Sequence, residues 1–353
     1  MTQTITYTNP HSSFKLEGVF YDKTGLSYLA ERLISEGESY QVSLGHFILQ
    51  WIDLSPEINL QTSGSTGTPK TILMSKQAMV NSAIATGNYF KLKPSDSALS
   101  CLPFEYIAAK MMFVRAYVLG LDMDCVNPSS SPLKDLKRNY DFCAMVPLQL
   151  ENSIEYLDHI KTIIVGGAKV SKGLISKLVN STSTIYETFG MTETVSHIAV
   201  KNISISKDVF EVLPSVSIGV DTRNCLFIKA PHIVSALIKT NDVVNLTSKT
   251  TFEWIGRYDA IINSGGIKIA PEQLEYQLEG FIKERFFIAS QKNNSLGEIV
   301  IIVIERSKPY INLSFDALEP IKRPKYIYYI DQFKETVSGK IKRQETLDLV
   351  ILE

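Results

Sequence analysis

Between Asp141 and Gly190 the chain switches between two hydrophobic periods. DFCAMVP, TIIVGG and TIYETFG are apolar runs of strand length, and SKGLISKLV between the last two has helical spacing. Strands alternating with helices predict an α/β fold built in layers. The pattern restarts after Trp254: GRYDAIINSGG leads to a helix opened by Pro271 and Glu272, with Leu274 and Leu278 one turn apart, and then to the strand EIVIIVIE. A second, smaller α/β domain is therefore expected to begin near Arg257.

A length of 353 residues accommodates such a division, and 44% hydrophobic with 21% charged residues is ordinary globular composition. The formal net charge of -1 gives no surplus for nucleic acid or an anionic membrane, although a local basic site for a small anion is compatible with it. The start MTQTITYTNPHSSF lacks a cationic, apolar leader, and no run reaches the roughly 18 apolar residues of a membrane span, so a cytoplasmic protein with no membrane insertion is expected. Cys101, Cys125, Cys143 and Cys225 are scattered without a CxxC pair, which predicts buried thiols rather than zinc or redox chemistry.

TSGSTGTPK, Thr62 to Lys70, concentrates hydroxyls, glycines and a lysine. Counted from Gly64 it nearly fits the phosphate loop of nucleotide hydrolases, Gly, four residues, Gly-Lys-Ser/Thr. Pro69 breaks that match, because proline removes an N–H donor and fixes φ where the loop needs a glycine. The flank disagrees as well: such a loop runs into a helix, whereas Thr71-Ile72-Leu73-Met74 is β-branched and apolar and predicts a strand. A loop between two strands still holds phosphate through backbone N–H groups, hydroxyls and one lysine, and Thr62, Ser63, Ser65, Thr66 and Lys70 suit that task. A solvated Ser/Gly turn is the plain alternative.

Four later features are individually ambiguous. In FGMTET a carboxylate, Glu193, follows a glycine turn; it suits a magnesium ligand beside a triphosphate, or a simple helix cap. Asp242 in KTNDVV and Arg257 in GRYD could hydrogen-bond ribose hydroxyls, or Asp242 could be a turn residue. Lys340 in ETVSGKIKR follows a glycine, yet stands beside Lys342 and Arg343 as solvated charge would.

Taken in order, TSGSTGTPK, the GGA of Gly166 to Ala168, FGMTE, TND, GRYDAIINSGGIKIAPEQLE and SGKIKR resemble the core motifs of the acyl-adenylate-forming superfamily of acyl-CoA synthetases, adenylation domains and luciferases. The resemblance runs from Thr62 nearly to the end. It implies a large N-terminal AMP- and acyl-binding α/β domain, 1–256, shortened at its start, and a small mobile C-terminal α/β lid, 257–353. It implies ATP, Mg2+ and coenzyme A as cofactors and co-substrate. By the same resemblance Thr62, Ser63, Gly64, Ser65, Thr66, Gly67 and Lys70 form the phosphate loop, and Gly167, Ala168 and Phe189 line adenine. Thr192 touches phosphate, Glu193 holds the metal, Asp242 and Arg257 bind ribose, and Asp259 is the hinge. Lys340 is implied as the adenylation lysine, while Gly265, Gly266 and Lys268 lie on the loop serving the second half-reaction.

Within the superfamily the chain resembles the ortho-succinylbenzoate:CoA ligases of menaquinone biosynthesis, through LPFEYIAAKMMFVRA, Leu102 to Ala116, and TETVSHIA, Thr192 to Ala199. That likeness makes Tyr106, Lys110, Gly190, Met191, Ser196 and His197 the expected acid-binding residues. A dicarboxylate needs a cation or hydroxyl for its second carboxylate, from Lys110 or Ser196. His197 also suits a core histidine and Lys110 a surface cation. Several positions depart from the pattern: Tyr106 replaces a histidine, Ala109 and Asn241 replace glycines, Phe189 replaces a tyrosine, and Asn224-Cys225 stands where Gly-Glu is usual. None removes a catalytic group. An adenylating enzyme for another aryl or amino acid with a carrier-protein acceptor is the alternative expectation; the oligomeric state is not legible.

Overall fold

The computed structural model of the chain describes residues 5–61, 71–205, 208–307, 313–335 and 341–350. A short hairpin, β1 (Lys15–Leu16) and β2 (Val19–Phe20), precedes two helices, α1 (Lys23–Glu36) and α2 (Ser39–Ile52). Asp22 caps α1 by accepting the Gly25 N–H at 2.8 Å. A separate two-stranded ribbon follows, β3 (Glu57–Gln61) and β4 (Thr71–Ser75), and then helix α3 (Lys76–Phe90). The expected alternation comes next: β5 (Ser97–Ser100), α4 (Ile107–Leu119), β6 (Asp122–Cys125), β7 (Tyr140–Met145), α5 (Pro147–Asn152), β8 (Ile160–Val165), α6 (Lys172–Lys177) and β9 (Thr184–Gly190). Strands β1, β6, β5, β7, β8 and β9 pair side by side in parallel, which the helical crossovers between them permit. Helix α4 stops at Gly120, whose φ of +76° is left-handed; a Cβ there would meet the His11 ring nitrogen at 2.3 Å.

From β10 (His197–Asn202) the sheet continues antiparallel through β11 (Phe210–Val212), β12 (Ser217–Val220), β13 (Cys225–Lys229), β14 (Ile238–Leu246) and β15 (Thr251–Arg257). The thirteen-stranded result has the order β12-β13-β14-β15-β11-β10-β9-β8-β7-β5-β6-β1-β2. Beyond Arg257 a distinct five-stranded sheet forms from β16 (Ile262–Ser264), β17 (Ile267–Ile269), β18 (Phe286–Asn293), β19 (Gly297–Glu305) and β20 (Tyr326–Ile330). It packs with α7 (Pro271–Leu278) and α8 (Arg343–Val350), and its core holds Leu274, Leu278, Ile288 and Ile302.

Helices α1 and α2 pack on each other and bury Trp51 and Phe47 against Phe113 and Tyr117 of α4. Trp51 is fully buried, so these two helices belong to the same core as the sheet rather than to a detachable arm. Cys101, Cys143 and Cys225 are buried as expected, and Cys125 is half-buried. Among the described residues no helix is long and apolar enough to cross a membrane.

Candidate active site

Open parallel sheets bind ligands outside the carboxyl ends of their strands. Here that edge carries Gly166 to Ala168, directly after β8, and Phe189-Gly190, the end of the adjacent β9. The loop after β8 is held from below. Thr188 donates its hydroxyl to the Val165 carbonyl at 3.0 Å, and a Cβ on Gly166 would lie 2.6 Å from that hydroxyl. Gly167 has φ +86°, which favours glycine. Glu187 accepts the Val170 N–H at 3.2 Å and forms a buried ion pair with Lys201 at 2.7 Å, with Asp208 as that lysine's second partner. The ring of Phe189 packs edge-on against Phe252 and Phe210, centroids 5.3 and 5.9 Å away.

The sequence Met191 to Ser196 turns sharply. Thr192–Thr194 is one 3-10 turn, closed by the Thr194 hydroxyl, which accepts the Met191 N–H at 3.0 Å. Val195 follows with φ 66° and ψ −51°, and Ser196 N–H bonds to Thr194 carbonyl at 2.7 Å, a γ-turn rarely tolerated by a β-branched residue. Strain of this kind collects where a side chain must be aimed. The turn leaves Glu193 exposed, with no partner among the described residues, and sends Ser196 and His197 inward. Gly190 makes the inward path passable, since a Cβ there would come within 2.5 Å of the backbone of Ser196 and His197.

No group of three or more metal-ligating side chains occurs among the described residues. Glu193 alone suits magnesium, which usually takes one or two carboxylates and completes its shell with phosphates and water.

At the inward end the cation that meets Ser196 is Arg115 of α4, a residue the sequence reading passed over. Arg115 is 1% exposed. One Nη donates to the Ser196 hydroxyl at 2.8 Å, the other approaches the Met112 sulfur at 3.6 Å, and Nε has no partner among the described residues. No carboxylate pairs with it among the described residues, and burial pushes its pKa down to about 9, which leaves it charged at neutral pH. His197 is buried beside it, Nδ1 3.3 Å from the Ser196 hydroxyl and Nε2 unpartnered. Burial, helped by the Arg115 charge, holds the imidazole well below its ordinary pKa of 6.5 and therefore neutral.

Lys110 is placed differently. Its ammonium lies over the Phe47 ring of α2, 5.8 Å from the centroid, and burial lowers its pKa against the opposing pull of Glu105. Five residues along a helix turn the direction by about 140°, so Lys110 and Arg115 project from different sides of α4. Tyr106 stands at the start of that helix, in the N-cap position.

Asp242 and Arg257 face each other across β14 and β15. The Trp254 indole donates to Asp242 Oδ1 at 3.0 Å, and an Arg257 Nη lies 4.0 Å from Oδ2. Arg257 also bonds Asp259 through Nε and Nη2, 3.0 Å each. That pairing holds the Asp259 carboxyl below its usual range and raises the guanidinium. Gly265 and Gly266, φ +56° and +82°, make the tight turn from β16 to β17, where exposed Lys268 lies 5.9 Å from the Tyr258 ring centroid. Thr62 to Lys70 and Lys340 fall outside the described residues. The flanks of the first segment do show that it joins two strands: β3 and β4 pair up to Gln61 and Thr71, and the chain continues as a strand, not the helix of a hydrolase loop.

A family model described as AMP-binding enzyme matches residues 60–225. A 2-succinylbenzoate–CoA ligase of Listeria monocytogenes is 25% identical over 92% of this chain and 76% of its own length. The crystal structure of an AMP-forming acyl-CoA synthetase/AMP-acid ligase II-like protein from Dyadobacter fermentans superposes with a TM-score of 0.62 at 31% identity, covering 92% of this chain and 98% of that one. The O-succinylbenzoate coenzyme A synthetase of Bacillus subtilis, in complex with ATP and magnesium ion, shares the fold at a TM-score of 0.72 and 19% identity, over 82% of this chain and 69% of that one. The motif order, the site at the carboxyl edge of the sheet and these likenesses agree: the chain belongs to the AMP-binding enzyme family of AMP-forming acyl-CoA synthetases.

Proposed function

We propose that the chain is an ATP-dependent acid:CoA ligase acting on ortho-succinylbenzoate, one carboxylate becoming the acyl-adenylate while Arg115 holds the other. The observation that carries this reading is the buried Arg115, charged and without a carboxylate partner among the described residues, bonded to Ser196 and beside neutral His197. An unpaired buried cation is costly unless a ligand supplies the anion, and a guanidinium matches a carboxylate in shape. The ligase named in the Listeria relative acts on such a dicarboxylic acid.

In the first half-reaction a carboxylate oxygen attacks the α-phosphate of ATP, and pyrophosphate leaves. Negative charge builds on phosphate oxygens, where Lys340, Lys70, Thr192 and the N–H groups of Thr62 to Gly67 stabilise it more in the transition state than before it. Glu193 would hold a magnesium ion, which would supply shielding of the triphosphate charge. Phe189, Gly167 and Ala168 hold adenine, and Asp242 with Arg257 hold the ribose. In the second half-reaction the coenzyme A thiolate attacks the acyl carbonyl and AMP leaves. Residues 257–353 act as a lid turning at Asp259, so that Lys340 withdraws and the Gly265-Gly266 loop with Lys268 takes its place. Dependence on ATP and coenzyme A fits a cytoplasmic enzyme.

The test is product mass from purified protein with ATP, magnesium, coenzyme A and a panel of acids: ortho-succinylbenzoate, benzoates, fatty acids and amino acids. Thioester with ortho-succinylbenzoate alone is expected. Thioester with a different acid would overturn the substrate assignment, and acyl-AMP without thioester would point to a carrier-protein acceptor.

A further inference from the structure

Asp242 sits in β14, 7% exposed, and its carboxylate is not left to find its own orientation. The pairing of β14 with β15 is Asp242 to Arg257 and Val243 to Gly256, but then Val244 to Trp254, so Ile255 is an extra residue on β15. A one-residue insertion in a strand exchanges the two faces beyond it. Without it Trp254 would point away from the face that carries Asp242 and Val244; with it the indole comes to lie beside Asp242 and donates to Oδ1 at 3.0 Å. Thr240 anchors the backbone at the same point: its hydroxyl accepts the Asp242 N–H at 3.0 Å and donates to the Leu226 carbonyl at 2.9 Å. The bulge therefore performs one identifiable task, delivering an N–H donor to one carboxylate oxygen while the other stays on the Arg257 side.

We propose that Trp254 is a positioning residue for nucleotide binding: its indole N–H fixes Asp242 Oδ1, so that the carboxylate presents a set geometry to the ribose hydroxyls. The proposal rests on the ribose-binding role given to Asp242 above. A carboxylate with one oxygen already bonded has less rotational freedom to lose when ribose binds, and its free lone pairs point in fixed directions. Trp254 also lines a cavity of about 740 Å³ together with Lys169 and the Tyr276 ring of α7. The Lys169 ammonium lies over that ring, 5.9 Å from its centroid, so the ring faces the cavity while the N–H edge is committed to Asp242.

Trp254→Phe keeps the ring and removes the donor. The KM for ATP is expected to rise about fivefold to tenfold with little change in kcat, the size of loss typical of one ordinary hydrogen bond, because Trp254 acts on ribose only through Asp242. The preference for ATP over 2′-deoxy-ATP and 3′-deoxy-ATP should narrow, which a general loosening of the fold would not produce. In an Asp242→Ala background, which has no acceptor for the indole, the same substitution should have no further effect on ATP binding. An unchanged ATP preference, or a full effect in the Asp242→Ala background, overturns the proposal.

A second measurement covers a variant that folds poorly. The chain has two tryptophans, Trp51 and Trp254, so its ¹⁵N spectrum holds two indole N–H signals. ATP and Asp242→Ala should both move the Trp254 signal, and an indole indifferent to both refutes the role. Wild-type protein that fails to bind ATP would instead refute the functional reading itself.

Discussion

At the proposed ribose end of the site Asp242 is bonded by Trp254 and Arg257 by Asp259, whereas at the proposed acyl end Arg115 and His197 are buried with polar atoms that no described residue satisfies. The first arrangement has its hydrogen bonds in place before a ligand arrives. The second leaves a desolvated cation waiting, so that a correct anion gains an interaction that water can no longer supply. Nucleotide binding on this reading rests on preformed geometry, and acid selection on an unfulfilled charge. A ligand without a second carboxylate should therefore lose more than a nucleotide lacking one hydroxyl.

The largest expected effect calibrates the comparison. Lys340→Ala should lower ATP–pyrophosphate exchange by about 10²- to 10³-fold for every acid alike, while thioester formation from supplied acyl-adenylate persists; equal loss in both steps would remove Lys340 from the adenylation step. Arg115→Leu comes next, with kcat/KM for ortho-succinylbenzoate falling about 100-fold and that for a monocarboxylic acid far less. Melting temperature should hold or rise, because an unpaired buried charge has been replaced by an apolar group. A fall in melting temperature with uniform loss across acids would make Arg115 a structural residue and dissolve the contrast.

Stability against pH sharpens the same end. His197 has a folded pKa well below 6.5, so the unfolded chain takes up its proton first. Its contribution to stability is present above the unfolded value and is lost as pH falls below about 6.5 towards the folded pKa, at up to about 1.4 kcal/mol per pH unit. His197→Gln should flatten that slope in a denaturant titration repeated from pH 7.5 to 5.5; parallel slopes would refute a buried neutral imidazole. The smallest effect is expected from Lys110→Met, less than about twofold in KM for the acid, since its ammonium lies over Phe47. A large change in KM would return Lys110 to the pocket.

Periodicity and motif order made the α/β alternation, the strand after the phosphate segment and the helix at Pro271 legible from sequence. These depend on local spacing and on turn chemistry that a linear reading can use. Arg115 was visible as one guanidinium inside IAAKMMFVRAYVL, but α4 is buried all round from Ala109 to Val118, so no polar face betrayed which cation meets Ser196. Trp254 was hidden for another reason. Its direction depends on the extra residue Ile255 between it and Gly256, and a single bulge leaves no trace in a period of two. The strained turn at Val195 was equally silent, because nothing in TETVSHIA announces a positive φ at a β-branched residue.

Among the described residues the β3–β4 ribbon shares no ladder with either larger sheet, yet its last rung, Gln61 with Thr71, carries both ends of the segment Thr62 to Lys70. The two attachment points are thus one strand spacing apart, about 5 Å, on a ribbon whose Ile58, Leu60 and Met74 are buried in the main core. That makes the segment an interchangeable cartridge: the corresponding stretch from a relative could be transplanted onto the same rung, with its own length and hydroxyl pattern, and the thirteen-stranded sheet would not have to register the exchange.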